Sequence, residues 1–248
     1  MTRVVDLNCD LGEGGPNDAE LMALISSANI ACGVHAGDID TMRRSVESAL
    51  KHNVSIGAHP GYDDRPSFGR AEVQMPSTEI RQLVADQVTT LRAVCDEFDA
   101  KLAHVKPHGA LYNQSARDRE IARAVALGVR DVDVELRLFG LAGSSSLSEA
   151  ESIGLRTVSE VFADRTYMDD GTLTPRSEPD ALITFEGDAV EQVLNMVKYG
   201  RVRSLAAIMV QIRTDTICIH GDGKYAVGFA REIRNALEND GIVIQAQH

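Results

Sequence analysis

Five short polar clusters, each at the end of an apolar run, contain most of the residues in this chain that could carry out chemistry. They are Asn8-Cys9-Asp10, Cys32-Gly33-Val34-His35, His59-Pro60-Gly61, Lys106-Pro107-His108-Gly109 and His220-Gly221-Asp222. Carboxylates, imidazoles and an amine can transfer protons or bind anions and metals near neutral pH. Their recurrence beside glycine or proline therefore indicates an enzyme of hydrolysis or proton transfer.

Histidine is the residue type that recurs most often in these clusters. One histidine follows each of four separate apolar runs, and the four are His35, His59, His108 and His220. A single histidine is more often structural, but four at equivalent positions favour a ring of acids, bases or ligands. His52 and His104 lack that placement, and we interpret both as structural.

The first apolar run carries an alternating polar ladder. Asp6, Asn8 and Asp10 would share one face of a strand, which in a barrel is the interior. A buried carboxylate is costly unless it is paired or hydrogen-bonded, so packing alone does not explain the ladder. The alternative is that Asp10 caps loop amides before Gly12. Glu13 fits a site acid or a solvated loop equally well.

Lys106 ends another run, two residues before His108. A lysine at this position could hold a carboxylate or a phosphate as a point charge. The alternative is a buried salt bridge from Lys106 to Asp10 or Asp6. Even that pairing would place the acid inside the mouth of a barrel, so the two interpretations overlap.

Metal and nucleotide motifs are weak. Asp10, His59 and His108 could supply a carboxylate and two imidazoles to a catalytic metal, but their spacing is not a compact motif, so they remain weak candidates. No glycine-rich nucleotide fingerprint and no nucleophile elbow is present. We therefore predict no structural zinc and favour acid–base chemistry.

The elements that must position these clusters alternate between strand and helix. Apolar runs predict strands over residues 4–8, 29–32, 54–58, 102–106, 136–141, 155–158, 182–185, 216–220 and 242–245. Segments of helical period predict helices over residues 39–50, 80–98, 121–127, 190–199 and 225–237, with Ser77 or Thr78 capping the second. This order predicts an α/β fold with a largely parallel sheet, and strands ending in polar clusters favour a (β/α) barrel.

Length and charge narrow the class of protein. A chain of 248 residues matches one barrel domain over residues 1–248. Long polar loops at 62–75 and 162–179 are expected to cover or build a site.

The net charge of −12 argues against a nucleic-acid surface. Four cysteines without a CxxC pair, no N-terminal signal pattern and no apolar stretch of about 20 residues predict a cytoplasmic protein without a membrane span.

Several long blocks resemble one protein family. They are DLNCDLGE at 6–13, NIACGVHAGD at 29–38, GAHPGY at 57–62, HVKPHGALYN at 104–113, EVFADR at 160–165 and ICIHGD at 217–222. These blocks are similar to the LamB/YcsF family, the A subunits of 5-oxoprolinase, over nearly the whole chain. The resemblance implies a distorted, seven-stranded, TIM-like (β/α) barrel related to glycoside hydrolases and carbohydrate deacetylases.

The resemblance also implies a reaction and partners. The reaction is the ATP-dependent hydrolytic opening of a cyclic amide (lactam), 5-oxoproline or pyroglutamate, to L-glutamate, ADP and phosphate. The partners are subunits B and C, and ATP is the co-substrate, with Mg²⁺. Whether a catalytic metal is bound, and whether the chain also forms a homo-oligomer, is left open.

We assign roles to the matching residues as a hypothesis. The catalytic set is Asp10, His59, Lys106, His108 and Asp164. The substrate- or nucleotide-binding set is Asn8, Glu13, His35, Arg165, Arg176, His220 and Asp222. Within them Lys106 and one arginine hold the phosphoryl or carboxylate charge, and Asp10, His59 or His108 activates water. Two alternatives are a metal-dependent deacetylase or carbohydrate hydrolase acting alone, and a non-catalytic scaffold subunit.

Overall fold

Seven parallel strands form a closed barrel in the computed structural model, which describes residues 3–221 and 226–247. The strands are β1 (Val4–Leu11), β2 (Ser27–Ala31), β3 (Ser55–His59), β4 (Leu102–Val105), β5 (Arg137–Leu141), β6 (Arg156–Phe162) and β9 (Thr216–His220). Strand β1 pairs with β2 on one edge and with β9 on the other, which closes the barrel. The expected seven-stranded barrel is confirmed.

Three further strands lie outside the barrel. Strands β7 (Arg201–Arg203) and β8 (Met209–Gln211) form an antiparallel hairpin. Strand β10 (Val243–Ile244) pairs in parallel with the first residues of β1.

The helices follow the strands as a parallel sheet requires. They are α1 (Asp18–Met22), α2 (Ile39–His52), α3 (Ser77–Asp96), α4 (Gly109–Arg117), α5 (Arg119–Val132), α6 (Ser145–Ser152), α7 (Glu186–Tyr199) and α8 (Ala226–Asn239). Among the described residues no helix is long and apolar enough to cross a bilayer.

Strand β1 shows why the sequence folds this way. Its odd-numbered residues Leu7, Cys9 and Leu11 are fully buried in the apolar core. Its even-numbered residues Asp6 and Asn8 are also fully buried, but they bond to polar groups of other barrel strands. Both faces are therefore buried, as expected for a strand of a parallel barrel.

Some predicted elements are wrong. Residues 182–185 form no strand, and two of their apolar side chains, Leu182 and Phe185, are exposed. The predicted cap of α3 is also wrong, because the helix begins at Ser77 after Pro76 without a side-chain cap. The hairpin β7–β8 and helices α1, α4 and α6 are not among the elements predicted above. Residue 225, the predicted start of the last helix, lies outside the described residues.

Candidate active site

The polar clusters meet at the C-terminal ends of the barrel strands. A cavity of about 850 Å³ opens there, and Asp10, His59, Lys106, His108 and His220 all line it. His35, from the second cluster, stacks on His108 with ring centroids 3.9 Å apart. Asp222 was predicted as a site residue, but it lies outside the described residues. The shared cavity is what a barrel with a functional rim requires.

Lys106 joins three strands at the base of this cavity. Its Nζ donates to Asp10 Oδ1 at 2.8 Å and to Cys218 Sγ at 3.0 Å, and it lies 3.1 Å from Glu160 Oε1. The structure thus confirms the buried salt bridge to Asp10. Burial lowers the pKa of Lys106, but Asp10 and the other nearby groups raise it more, so the pKa lies well above its usual value.

A polar ladder continues below Lys106 into the barrel. Asn8 Nδ2 donates to Glu160 Oε1 at 2.9 Å and to Thr216 Oγ1 at 2.7 Å. Asp6 accepts hydrogen bonds from the hydroxyls of Ser26, Ser27 and Thr216. The ladder therefore faces inward as predicted, and each carboxylate is compensated by donors.

Asp10 does not act as the loop cap. The backbone N–H of Gly12 instead donates to Asp18 Oδ2 at 2.9 Å. Burial raises the pKa of Asp10, but His59 and Lys106 lower it by more. The pKa of Asp10 therefore lies well below its usual value, and the carboxylate stays ionised. A carboxylate held in its charged form between two cations can orient a water molecule or a cationic group.

His59 and His108 face each other above Asp10. His59 Nδ1 is 2.7 Å from the carbonyl oxygen of Lys106, and His108 Nε2 is 2.8 Å from that of Phe68. A carbonyl only accepts, so both of these nitrogens carry the proton. The facing atoms, His59 Nε2 and His108 Nδ1, are 2.9 Å apart. In the neutral rings neither atom carries a proton, so each presents a lone pair to the other. A positive charge, either a proton or a cation, is required there.

Glu13 completes this group. Its Oε1 is 3.2 Å from His108 Nδ1, 3.4 Å from His35 Nε2 and 3.6 Å from His59 Nε2. The Glu13 side chain is thus nearly buried beside the imidazoles and does not lie in a solvated loop. Burial raises its pKa, but the imidazoles lower it more, so its pKa lies below the usual value.

The three imidazoles differ in basicity. Burial lowers the pKa of His59, but Asp10 and Glu13 raise it further, so the net change is upward. Burial lowers the pKa of His108, and it lowers that of His35 to about 4. Neighbouring titratable groups whose pKa values diverge are typical of acid–base sites.

Asp164 positions the fourth histidine. His220 Nδ1 is 2.9 Å from both carboxylate oxygens of Asp164, and the imidazole stacks on Phe162. Burial raises the pKa of Asp164, but His220 lowers it more. Asp164 therefore fixes the orientation of His220 at the cavity wall.

The two predicted arginines lie at different depths. Arg165 is buried, and its guanidinium donates to the carbonyl oxygens of Thr174 and Ala181, so it anchors the loop over residues 162–179. Arg176 is exposed at the mouth of the cavity. Arg70 and Arg117 also line this cavity, together with the acids Glu72, which pairs with Arg117, and Asp170.

Glu160 and Asn29 are site residues that the sequence reasoning missed. Both are fully buried; Glu160 pairs with Lys106, and Asn29 Nδ2 donates to Asp10 Oδ1 at 2.8 Å. The one feature of the sequence that could have indicated them is a single acid, Glu160, and a single amide, Asn29, each next to an apolar residue in its strand. His104, interpreted as structural, lies in the barrel interior with Nε2 2.8 Å from Asn29 Oδ1.

Two groups of potential metal ligands occur among the described residues. One comprises Glu13, His35, His59 and His108, and the other comprises Asp10, Cys218 and His220; in each group the donor atoms lie within 4.8 Å of one another. The candidate ligands predicted from the sequence, Asp10, His59 and His108, are thus divided between the two groups.

The barrel and its rim define a (β/α)-barrel protein with a hydrolase-like fold. The chain belongs to the LamB/YcsF family, whose sequence model matches residues 5–248. Curated relatives include the A subunit of 5-oxoprolinase from Bordetella pertussis, 51% identical over 251 residues, which cover 99% of this chain and 100% of that protein. The corresponding A subunit from Erwinia tasmaniensis is 50% identical over 242 residues, which cover 98% and 99%.

Solved structures agree with this placement. The lactam utilization protein from Thermus thermophilus is 42% identical, covers 100% of both chains and superposes with a TM-score of 0.92. The catalytic domain of a peptidoglycan N-acetylglucosamine deacetylase from Eubacterium rectale is 10% identical and superposes with a TM-score of 0.56, over 100% of this chain and 90% of that one. The second likeness concerns the fold alone, and it confirms the expected deacetylase-like barrel.

Proposed function

We propose that this chain is the A subunit of a 5-oxoprolinase, which opens 5-oxoproline (pyroglutamate) to L-glutamate while ATP is hydrolysed to ADP and phosphate. The observation that carries the proposal is the full-length identity of 51% and 50% to proteins named as the A subunit of 5-oxoprolinase. The solved relative named as a lactam utilization protein adds support, because 5-oxoproline is a five-membered lactam. Subunits B and C are the proposed partners.

The charge of the cavity suits the proposed reactants. 5-Oxoproline carries one carboxylate, and ATP, bound with Mg²⁺, carries the phosphoryl group. Arg70, Arg117, Arg165 and Arg176 line the cavity, and guanidinium groups match carboxylates and phosphates in geometry. We assign the anion chiefly to the arginines. The role of Lys106, which contacts Asp10 and Glu160, as a charge clamp stays a prediction.

The proposed chemistry has three steps. An amide is a poor electrophile, so transfer of the γ-phosphoryl group to the lactam oxygen, with ADP leaving, activates the ring carbon. Water then attacks that carbon, the C–N bond breaks, and the nitrogen takes up a proton, which leaves the acyl phosphate of glutamate. A second water hydrolyses this acyl phosphate to glutamate and phosphate. In this scheme Asp10, His59 and His108 handle the protons, and Asp164 holds His220 at the cavity wall.

Reconstitution with the candidate partner subunits tests this proposal. Release of glutamate should require 5-oxoproline, ATP and the partners together. Asp10→Asn should lower turnover by roughly 10²–10⁴, the usual contribution of acid–base catalysis. Asp96→Asn, at the exposed end of α3, is the matched control and should retain the wild-type rate. Absence of any 5-oxoproline-dependent glutamate release would overturn the proposal.

A second candidate function is a metal-dependent deacetylase or carbohydrate hydrolase acting alone. The cluster of Glu13, His35, His59 and His108 favours it, because imidazole and carboxylate are common ligands of catalytic metals. Deacetylation of an N-acetylated sugar by the purified chain, without ATP or partners, would support this alternative. Wild-type activity of the complex after Asp10 or His59 substitution would instead support a scaffold role.

A further inference from the structure

We propose that Glu13, His59 and His108 bind one divalent transition-metal ion of the Zn²⁺ type, and that His35 positions His108 beside it. The site lies at the ends of β1, β3 and β4, next to the cavity. This proposal concerns binding. With the ion bound, His59 and His108 serve as ligands, and proton transfer in the proposed reaction is left to Asp10.

The tautomers of the two histidines carry the argument. The backbone carbonyls of Lys106 and Phe68 take the protons of His59 Nδ1 and His108 Nε2. This directs two lone pairs toward the same point, from atoms only 2.9 Å apart. Metal-bound histidines almost always donate their other ring N–H to a carbonyl, a carboxylate or water, as both rings do here.

The spacing of the three donors fits a small ion. Zinc bonds of ~2.0–2.1 Å in a tetrahedral arrangement separate the ligand atoms by about 3.3–3.4 Å. The sides of the observed triangle are 2.9 Å between His59 and His108, 3.2 Å between His108 and Glu13, and 3.6 Å between His59 and Glu13. An ion slightly out of the plane of this triangle can reach all three atoms and leave a fourth position open.

Glu13 supplies independent support. Its side chain is only 9% exposed, and its Oε1 has no hydrogen-bond partner although it points at the three imidazoles. A buried carboxylate oxygen without a donor is costly, and an ion at this point would remove that cost.

The orientation of His35 sets its role. Its ring is parallel to that of His108, with 3° between the planes and 3.9 Å between the centroids. One ion cannot lie in the planes of two stacked rings at bonding distance from both. His35 therefore positions His108 by stacking rather than acting as the fourth ligand in this arrangement.

The second ligand group is less suited to a cation. Asp10 and Cys218 both already contact the ammonium of Lys106, at 2.8 Å and 3.0 Å. A metal ion bound there would have to displace this buried positive charge or lie close to it.

Metal titration of the purified full chain tests the proposal. We expect one Co²⁺ or Zn²⁺ per chain by equilibrium dialysis, and a visible Co²⁺ spectrum of tetrahedral type without thiolate charge-transfer bands. Glu13→Gln and His59→Asn should each weaken binding at least about 100-fold, since even outer-shell partners cost 10–100-fold. His52→Asn, which removes an exposed imidazole on α2, is the matched control and should bind as wild type does.

Two further measurements keep the test independent of variant folding. X-ray absorption of the zinc-loaded wild type should show two imidazoles and oxygen, without sulfur. His35→Ala should weaken binding about 10-fold, and His35→Phe, which keeps the stack, should restore it. Lack of stoichiometric binding, which would mean a protonated histidine pair only, would overturn the proposal; so would a sulfur ligand, or unchanged binding in Glu13→Gln and His59→Asn.

Discussion

At the scale of single residues, the site depends on charges buried together. Lys106 is 2% exposed and contacts the carboxylates of Asp10 and Glu160, which are themselves almost completely buried. Bringing such charges out of water is expensive, and the expense is offset only while every partner is present. The residue that balances two acids should therefore be the most sensitive position in the barrel.

We predict that Lys106→Met destabilises the protein by about 3–5 kcal/mol, because it leaves two buried carboxylates without their cation. In the reconstituted enzyme it should also lower turnover by at least ~10²-fold. Chemical denaturation measures the first effect and a glutamate-release assay the second.

The control for this change is a surface pair. Lys198 lies 2.8 Å from Asp240 but is partly exposed, so Lys198→Met should cost much less stability than Lys106→Met. Equal losses for the two variants would contradict the view that burial makes Lys106 critical.

His104 predicts a pH dependence of stability. Burial, with a contribution from Lys106, lowers its pKa to about 3 from the usual 6.5. Between pH 6.5 and about pH 3, His104 therefore binds a proton in the unfolded chain but not in the folded one. Stability from this group is complete above pH 6.5 and is lost as pH falls from 6.5 toward 3, by on the order of 4 kcal/mol.

His104→Gln tests this linkage, because glutamine can still donate to Asn29 but does not titrate. Denaturation from pH 7 to pH 4 should show a shallower loss of stability in the variant than in the wild type. Parallel curves for the two proteins would exclude His104 as a source of acid sensitivity.

At the scale of elements, the sequence predicted the barrel strands well and the long crossover between β6 and β9 poorly. The ladder of Asp6, Asn8 and Asp10 was predictable, because a period of two fixes which face is inward. The strands β7 and β8 have three residues each and bury few side chains, so they leave almost no periodic signal. Residues 182–185 are apolar but largely exposed, which a hydrophobicity pattern cannot distinguish from a strand.

The contacts within the site were harder to predict than its members. Glu160 was missed because one acid in an apolar strand has no local motif, and its partner Lys106 is distant in sequence. The stacking of His35 on His108 likewise depends on how two loops meet. Sequence periodicity identifies which residues face inward, but only tertiary packing determines which of them touch.

The close approach of the loops around Gly69 and Gly109 can be tested by substitution. Gly109, at the start of α4, has a φ of +53°, and a Cβ there would lie 2.5 Å from the carbonyl oxygen of Gly69. The neighbouring carbonyl of Phe68 is the one that accepts from His108. We predict that Gly109→Ala destabilises the protein by roughly 2–3 kcal/mol, from strain and displaced backbone together, as measured by thermal or chemical denaturation.

Gly154 provides the matched control. Its φ is +86°, but nothing lies within 4 Å of the position of a Cβ. Gly154→Ala should therefore show backbone strain alone, about 1 kcal/mol. If the two substitutions cost the same, the close approach of the two loops is not what makes Gly109 necessary.

At the scale of the whole molecule, the excess of acidic over basic residues should determine how solubility depends on pH. The net charge is −12 at pH 7 and falls to zero near an isoelectric point of about 5.0. Because charge repulsion keeps proteins apart, we predict a minimum of solubility near pH 5, relieved on return to pH 7. Light scattering against pH measures it, and scattering that stays flat across pH 5 would contradict it.

The closure of the barrel by β1 and β9 has a consequence for the order of events during synthesis. Strand β1 leaves the ribosome before β9, yet Asn8 and Asp6 bond to Thr216, which lies 208 and 210 residues later. Lys106 bonds to Cys218, 112 residues later. Contacts so distant in sequence form late and slowly, because a long loop must close before they can form. The polar ladder of β1 and the pairing around Lys106 are therefore complete only after β9 has been made.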